Sequence, residues 1–312
     1  MPRPSFPKTI FEFNRQFSSE EECLKFMIQS RWPDGFVCPK CGHNLYFWID
    51  TRKLLQCKKC GHQTSVTAGT VMHRSRMPFT TWFQAAYLAT THTPGISAVQ
   101  FQRQVGLHSY KTAFAMLHKL RAATVRTDRG RLNGIVEVDE TYIGGEQHGK
   151  PGRGAKGKVI VVGAVDTRDK YANRVRLRVI PNVTSSMLTE FVKLNVDEGS
   201  TVKTDEWVGY SRLGSSGYRH IVSPKLPHIH RVFSNLKTWL IGTHHGVSPQ
   251  HLQAYLNEYS FRFNRRKTPM AGFQTVLGLS GQRLGPTYKG LFSVAKDGHW
   301  KHPTNPCSEL MT

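Results

Sequence analysis

Two Cys-x-x-Cys pairs, Cys38-Pro-Lys-Cys41 and Cys57-Lys-Lys-Cys60, stand fifteen residues apart in this 312-residue chain. Four thiolates delivered by two tight turns can close a tetrahedral Zn²⁺ site, and the segment between them is long enough for a hairpin. Residues 36–70 are therefore predicted to form a zinc ribbon, with Cys38, Cys41, Cys57 and Cys60 as ligands of a structural Zn²⁺. His43 and His62 each follow a knuckle; with four thiols available they are read as neighbours of the site or surface groups. Cys23 and Cys307 have no partner spacing and are read as ordinary thiols. Cysteines used in this way fit a reducing compartment better than a disulfide framework.

The segments on either side of the ribbon read as helical. In "FSSEEECLKFMIQSRW", Ser18 stands three residues before Glu21, a capping-box pattern, and Leu24, Phe26, Met27 and Ile28 follow as a short amphipathic helix that Pro33 and Gly35 end. This makes residues 1–35 an N-terminal helical segment. Beyond the ribbon, Trp82, Phe83, Ala86 and Tyr87 fall at helical spacing until Pro94-Gly95. A second helix starts at Ser97 and breaks at Gly106, and a third starts at Ser109. Helix, short glycine-containing turn, helix is the outline of a helix-turn-helix, so residues 75–130 are read as a DNA-binding region whose last helix enters a major groove. The run "RTDRGRLNG" is expected to be a linker.

From residue 134 the apolar period changes from helix to strand. "GIVEVDETYI" and "KVIVVGAVD" read as strands, and "NRVRLRVI" alternates Arg174, Arg176 and Arg178 with Val175, Leu177 and Val179 as a half-exposed edge strand should. A helix ("TSSMLTEFVKLNV"), a strand ("STVKTD"), a strand ("YRHIV") and two helices follow. Three strands, helix, strand, strand, helix is the order of an RNase H-like α/β domain, assigned to residues 131–265. "GGEQHGKPGRGAKGK", between the first two strands, is expected to be mobile and solvated. Residues 266–312 are read as a basic tail with little regular structure. The fold class is thus multidomain: zinc ribbon, helix-turn-helix-like region, then an α/β catalytic domain.

Charge narrows the partners. Lys and Arg number 43 against 21 Asp and Glu, a formal net charge of +22, which favours a polyanion, with nucleic acid first. No stretch approaches the roughly 18 apolar residues of a membrane helix, and the opening "MPRPSFPKTI" has no apolar signal core. The expectation is a soluble cytoplasmic protein associated with the nucleoid.

Against that charge, Glu137, Asp139 and Glu140 fall within four residues of a strand. Alternation puts Glu137 and Asp139 on one face with Thr141, and Glu140 on the other with Val138. In the RNase H-like order the first and fourth strands are neighbours, which brings Asp139 beside Asp205 at the end of "STVKTD". Two adjacent carboxylates call for a cation, and hard oxygen ligands suit Mg²⁺ or Mn²⁺. Such a site performs phosphoryl transfer. Glu137, Glu140 and Glu206 are read as supporting residues, Glu137 either beside the site or as a solvated or salt-bridged group. A third ligand should come from the helix after the fifth strand, where "PHIHRVFSNLKTWL" offers no carboxylate. His230 takes that place, with Lys237 seven residues on and nearly on the same helix face to contact a phosphate. His228 and Asn235 compete with His230, and either His can instead cap the helix or touch phosphate.

The strings "CPKCGH", "CKKCGHQTSVTAGTVMH", "VEVDETYIGG", "KTDEWVGY", "FSNLKTWLIGTHHGVS" and "LNEYSFRFNRR" closely resemble DDE-type transposases of bacterial and archaeal insertion sequences, in the family numbered fifteen ninety-five, whose catalytic domain is of the ISXO-like type. The resemblance runs from about residue 18 to 267. It implies that the first two catalytic aspartates are Asp139 and Asp205, that the third position, Glu in some branches and Asn or His in others, is His230, and that the following Lys is Lys237. It also implies double-stranded DNA partners (terminal inverted repeats and target), cleavage and joining of 3′ ends, and a homodimer or larger assembly. The alternative is a DNA-binding protein with a decayed, inactive catalytic domain; a stand-alone structure-specific nuclease is a second rival.

Overall fold

The structure is a computed structural model that describes residues 6–125, 129–144, 158–280 and 284–292. The chain forms two compact units, one holding described residues 6–125 with 267–280 and 284–292, the other 129–144 with 158–266. The loop "GGEQHGKPGRGAKGK" falls, at residues 145–157, outside the described residues. Among the described residues, no helix is long and apolar enough to cross a membrane.

The first unit contains α1 (Ile10–Gln16), α2 (Glu20–Arg31), β1 (Tyr46–Ile49), β2 (Leu54–Cys57), β3 (Gln63–Ser65), α3 (Phe79–Thr91), α4 (Ala98–Val105) and α5 (Tyr110–Ala123). The three strands form an antiparallel sheet in the order β1-β2-β3. Arg31, at the end of α2, donates to the carbonyls of Ser65 and Val66 at 2.9 and 2.7 Å, tying the ribbon to the helices. The capping box of α2 lies one residue later than expected: Ser19 caps with Glu22, whose carboxylate also accepts from Ser18. The run of three glutamates permits either register, and this one frees Glu20 for a distant task. Helix α3 begins after Pro78 without a capping side chain of its own. The Glu20 carboxylate instead accepts from the backbone N–H groups of Phe79 and Thr80 at 2.9 and 2.7 Å, satisfying donors that a helix start leaves unpaired. Gly106, at φ 69°, ends α4 in the left-handed region that favours glycine. Helix α5 then buries Ala113, Met116, Leu117, Leu120 and Ala123, and exposes Tyr110 and Lys111 at its start.

The expected tail is corrected by the structure. After the second unit's elements, α9 (Pro269–Ser280) and α10 (Tyr288–Phe292) return to the first unit. Phe273 of α9 is fully buried among Phe13, Phe17 and Tyr87, with ring centroids 5.3, 5.6 and 5.8 Å away. Phe292 of α10 lies 5.6 Å from Phe114 of α5. Phe273, Val276 and Leu277 form a buried i, i+3, i+4 stripe that the surrounding glycines and prolines disguise in the sequence.

In the second unit β4 (Ile135–Ile143), β5 (Val159–Arg168), β6 (Tyr171–Ile180), α6 (Ser185–Asn195), β7 (Thr201–Thr204), β8 (Arg219–Val222), α7 (Pro227–His244) and α8 (Leu252–Asn264) follow one another. The sheet order is β6-β5-β4-β7-β8, with β4 parallel to β7 and antiparallel to β5. One face packs Val136, Val138 and Val162 against Leu188 and Phe191 of α6. The other packs Val161, Val165 and Val175 against Ile229, Val232, Phe233 and Leu236 of α7 and Leu252 and Leu256 of α8. The sheet is thus buried on both faces, as its near-continuous valine runs require. Strand β6 is an edge strand as expected, yet Arg176 is buried, donating to the carbonyl oxygens of Val175 and Gly130. Of the linker "RTDRGRLNG", residues 126–128 lie outside the described residues. Its far end belongs to the fold: Leu132 is fully buried and bridges to Val196.

Phe273→Ala is expected to destabilise the first unit by about 3–5 kcal/mol, because the cavity opens where four rings meet. Urea unfolding followed by hydrogen exchange of α1 and α3 checks it; unchanged protection there would show that α9 is not part of that core.

Candidate active site and metal centre

The ribbon's four thiols come together. The Sγ atoms of Cys38 and Cys60 are 3.6 Å apart, as are those of Cys41 and Cys57, and all four lie within 4.8 Å of one another. Sulfurs each about 2.3 Å from one tetrahedral zinc stand roughly 3.8 Å apart, so the set fits Zn²⁺. Each knuckle turns on a left-handed glycine, Gly42 at φ 71° and Gly61 at φ 68°. The turn aims N–H groups at sulfur: against burial, which raises it, the N–H groups of Cys60 and Lys59 hold the Cys57 thiol below its ordinary range. His43 and His62 contribute backbone carbonyls that accept from Cys38 and Cys57 N–H.

In the second unit the parallel register pairs Glu137 with Lys203, which sets Asp139 level with Asp205, two residues further along each strand. Strand β7 stops at Thr204, and Asp205 turns the chain, its Oδ1 accepting from the Trp207 N–H at 3.1 Å. Asp139 Oδ1 accepts from the Glu140 N–H at 2.8 Å, and its Oδ2 lies 3.1 Å from His230 Nε2. Burial, then the charges of Glu140 and Asp205, push the Asp139 carboxyl up to about 6, against the Glu140 N–H and His230, which lower it. Glu140 points to the opposite face, where the hydroxyl of buried Tyr210 donates to it at 2.8 Å.

Glu137 is neither solvated nor idle. It is 5% exposed, and its Oε2 accepts from the N–H groups of His228 and Ile229 at 2.8 and 3.0 Å. Helix α7 starts at Pro227 with no capping side chain of its own, so this carboxylate from the central strand supplies the cap. The capped helix carries His230 to Asp139. His228 is held on Glu137 instead, 4.0 Å from Oε1, so of the two histidines only His230 reaches the aspartate. Lys237 is exposed two turns further along. Asn235 is also exposed.

A second feature brings α7 close. Gly163 of β5 pairs with Asp139, and a Cβ built on it would lie 2.8 Å from the Phe233 ring and 2.9 Å from Ile229. The helix therefore rests on bare backbone beside the aspartate. An isolated glycine within "VIVVGAVD" is the sequence signal for such an approach. Among the described residues, the four cysteines are the one group of three or more His, Cys, Asp or Glu side chains gathered closely enough to hold a metal ion as they stand. The residue types of Asp139, Asp205 and His230 nevertheless suit a divalent cation: two hard carboxylates, of which Asp139 is raised by burial and then by the charges of Glu140 and Asp205, and one nitrogen donor.

Two consequences are open to measurement. With a folded pKa near 6 and an ordinary value of 3.8, Asp139 binds its proton more tightly folded than unfolded, so the metal-free fold loses stability as pH rises from about 4 to about 6. Asp139→Asn is expected to stabilise the chelated protein by about 1–3 kcal/mol at pH 7.5 and by little at pH 4, read by denaturant unfolding at both pH values. Gly163→Ala is expected to cost about 1–3 kcal/mol by overpacking and to uncouple the His230 ring resonances from the protonation of Asp139 in an NMR titration. An alanine variant as stable as wild type would mean that α7 does not rest on Gly163.

Comparison with known proteins follows the same division. The transposase zinc-ribbon domain matches residues 18–63, and the ISXO2-like transposase domain matches residues 131–264. A protein in the transposable element ISH50 of Halobacterium salinarum is 28% identical over 132 residues, covering 41% of this chain and 44% of that protein. The chain thus spans less than half the length of that relative. Among solved structures, a chain of the simian T-cell lymphotropic virus intasome in complex with the PP2A regulatory subunit B56 gamma aligns at 17% identity over 57% of this chain and 65% of that one. Its TM-score is 0.32, too slight a likeness to carry an argument. Two domains of insertion-sequence transposases, the zinc ribbon and the ISXO2-like domain, are thus matched in that order.

Proposed function

We propose that this protein is a DNA transposase that binds the terminal inverted repeats of its element and catalyses metal-dependent DNA cleavage and strand transfer. The observation that carries the reading is the juxtaposition of Asp139 with His230 at 3.1 Å and, through the β4/β7 register, with Asp205. The strand order, first strand flanked by second and fourth, supports an RNase H-like catalytic domain over about residues 131–265.

In this reading Asp139 and Asp205, with His230, hold Mg²⁺ or Mn²⁺. Such ions polarise the scissile phosphate and make the attacking oxygen more acidic. Asp139 and Asp205 fix where positive charge collects; His230 adds a donor without adding negative charge; Lys237, exposed on the same face of α7, takes a backbone phosphate. A water attacks the phosphodiester first, and the freed 3′-hydroxyl then attacks the target strand. The zinc ribbon and the α4–α5 pair, whose exposed Tyr110 and Lys111 lie at the start of α5, bind terminal-repeat DNA, with lysine and arginine supplying the salt-dependent share. Joining two ends implies a homodimer or larger assembly on DNA, and a cytoplasmic, nucleoid-associated location. A decayed catalytic domain is the weaker reading, because the capped α7 still delivers His230 to Asp139.

Purified protein is expected to cleave and join duplexes carrying the element's ends only with Mg²⁺ or Mn²⁺. Asp139→Ala and Asp205→Ala should each lose about 10³-fold or more in rate, roughly 4 kcal/mol of transition-state stabilisation. His230→Ala should lose much of the activity and His230→Glu retain part of it, while Cys57→Ser should release zinc and weaken end binding. Full activity in chelator or in Asp139→Ala would refute the site.

A further inference from the structure

The outward face of the ribbon sheet carries an exposed aromatic ring among amides and cations. Register places Phe47, Gln56 and Gln63 in one cross-strand row on a single face, while Leu55 and Cys57 point to the buried side. Phe47 is 59% exposed, in a strand whose burial pattern is otherwise also open. A largely exposed ring on a sheet face is costly to hydrate. Its neighbours are polar and basic: Lys58 Nζ stands 4.7 Å over the Phe47 ring, Gln63 donates to Gln56 at 3.3 Å, and Arg52 donates to Gln63 at 3.0 Å. Residues 36–65 contain five Lys or Arg and a single acidic residue, Asp50, which is paired with Lys53 at 2.7 Å.

An exposed aromatic on a sheet, flanked by amides and cations, is the physical description of a base-stacking platform: the ring takes the face of an unpaired base, the amides its edge, and the cations the backbone. A base still stacked in duplex offers no face to such a ring. We infer that the ribbon binds single-stranded DNA by stacking an unpaired base on Phe47, with Lys58 moving from the ring to the adjacent phosphate. The inference rests on the DNA-transposition reading and goes further, assigning the ribbon to the unpaired strand that end cleavage or fraying exposes.

The test uses the full-length zinc-loaded protein and fluorescence anisotropy with a labelled oligo-dT and, separately, a mixed-sequence duplex of the same length. Phe47→Ala is expected to weaken oligo-dT binding roughly ten-fold and duplex binding less than about two-fold, and Phe47→Tyr to restore the single-strand affinity. Zinc content equal to wild type shows that the ribbon still folds. Equal loss on both DNAs, or no loss on oligo-dT, overturns the inference. So does a change in sedimentation of Phe47→Ala with oligo-dT binding intact, which would make the face a contact between copies. Failure of the wild-type protein to bind either DNA would sink the DNA-transposition reading as well, whereas wild-type binding with an indifferent Phe47→Ala would sink the stacking inference alone.

Discussion

The second unit depends on one buried carboxylate. Glu137 sits in the middle of the sheet, where an unpaired charge would cost several kcal/mol, and is held there by the first free N–H groups of α7. The exchange serves both partners: the helix begins at proline and has no local cap, and the carboxylate has no other backbone donor among those described. A charge-assisted contact between the central strand and a helix start fixes where α7 begins, and the helix period then decides which side chain lies over Asp139. Three residues beyond Pro227 that side chain is His230; His228 is spent on Glu137. The first unit repeats the device, Glu20 capping the proline-started α3. In both cases tertiary structure supplies what the local sequence omits.

Gly163 sets the remaining coordinate, the distance of α7 from the sheet. Removing one methyl group beside Asp139 lets Phe233 and Ile229 approach the backbone, so the packing that buries the apolar face also lowers His230 onto the aspartate. Core and site are therefore not separable here. A substitution that alters the fit of α7 acts on the histidine before it acts on any charge.

These contacts explain what the sequence could and could not disclose. The cysteine spacing, the strand order and the sharing of one face by Glu137 and Asp139 follow from local periodicity and were legible, as was the placing of Asp139 beside Asp205, because the strand order implies that neighbour pair. The task of Glu137 was not legible, since a carboxylate in a strand says nothing about a helix start 91 residues away. The capping box of α2 slipped by one residue because three successive glutamates satisfy the pattern in two registers. The C-terminal helices were hidden by glycine and proline, whose weak helix propensity is outweighed once Phe273 finds its aromatic pocket.

The placement of negative charge in a +22 chain follows from range. Exposed lysines and arginines create a field that gathers a polyanion, but salt screens each of them beyond about 8–10 Å. They do not neutralise a half-buried carboxylate from a distance. Among the described residues, the one partner within ion-pair distance of Asp139 is His230, while Glu140 and Asp205 both raise its proton affinity. The site is therefore locally short of positive charge within a protein that has it in excess. A lysine at that point would relieve Asp139 permanently and occupy the place a cation needs; a histidine, which carries no fixed charge, leaves the deficit standing. The β4–β7 register and the two apolar faces of the sheet hold the carboxylates together against this repulsion. On the proposed reading, the destabilisation stored at Asp139 is what a divalent cation arriving with a phosphate would relieve.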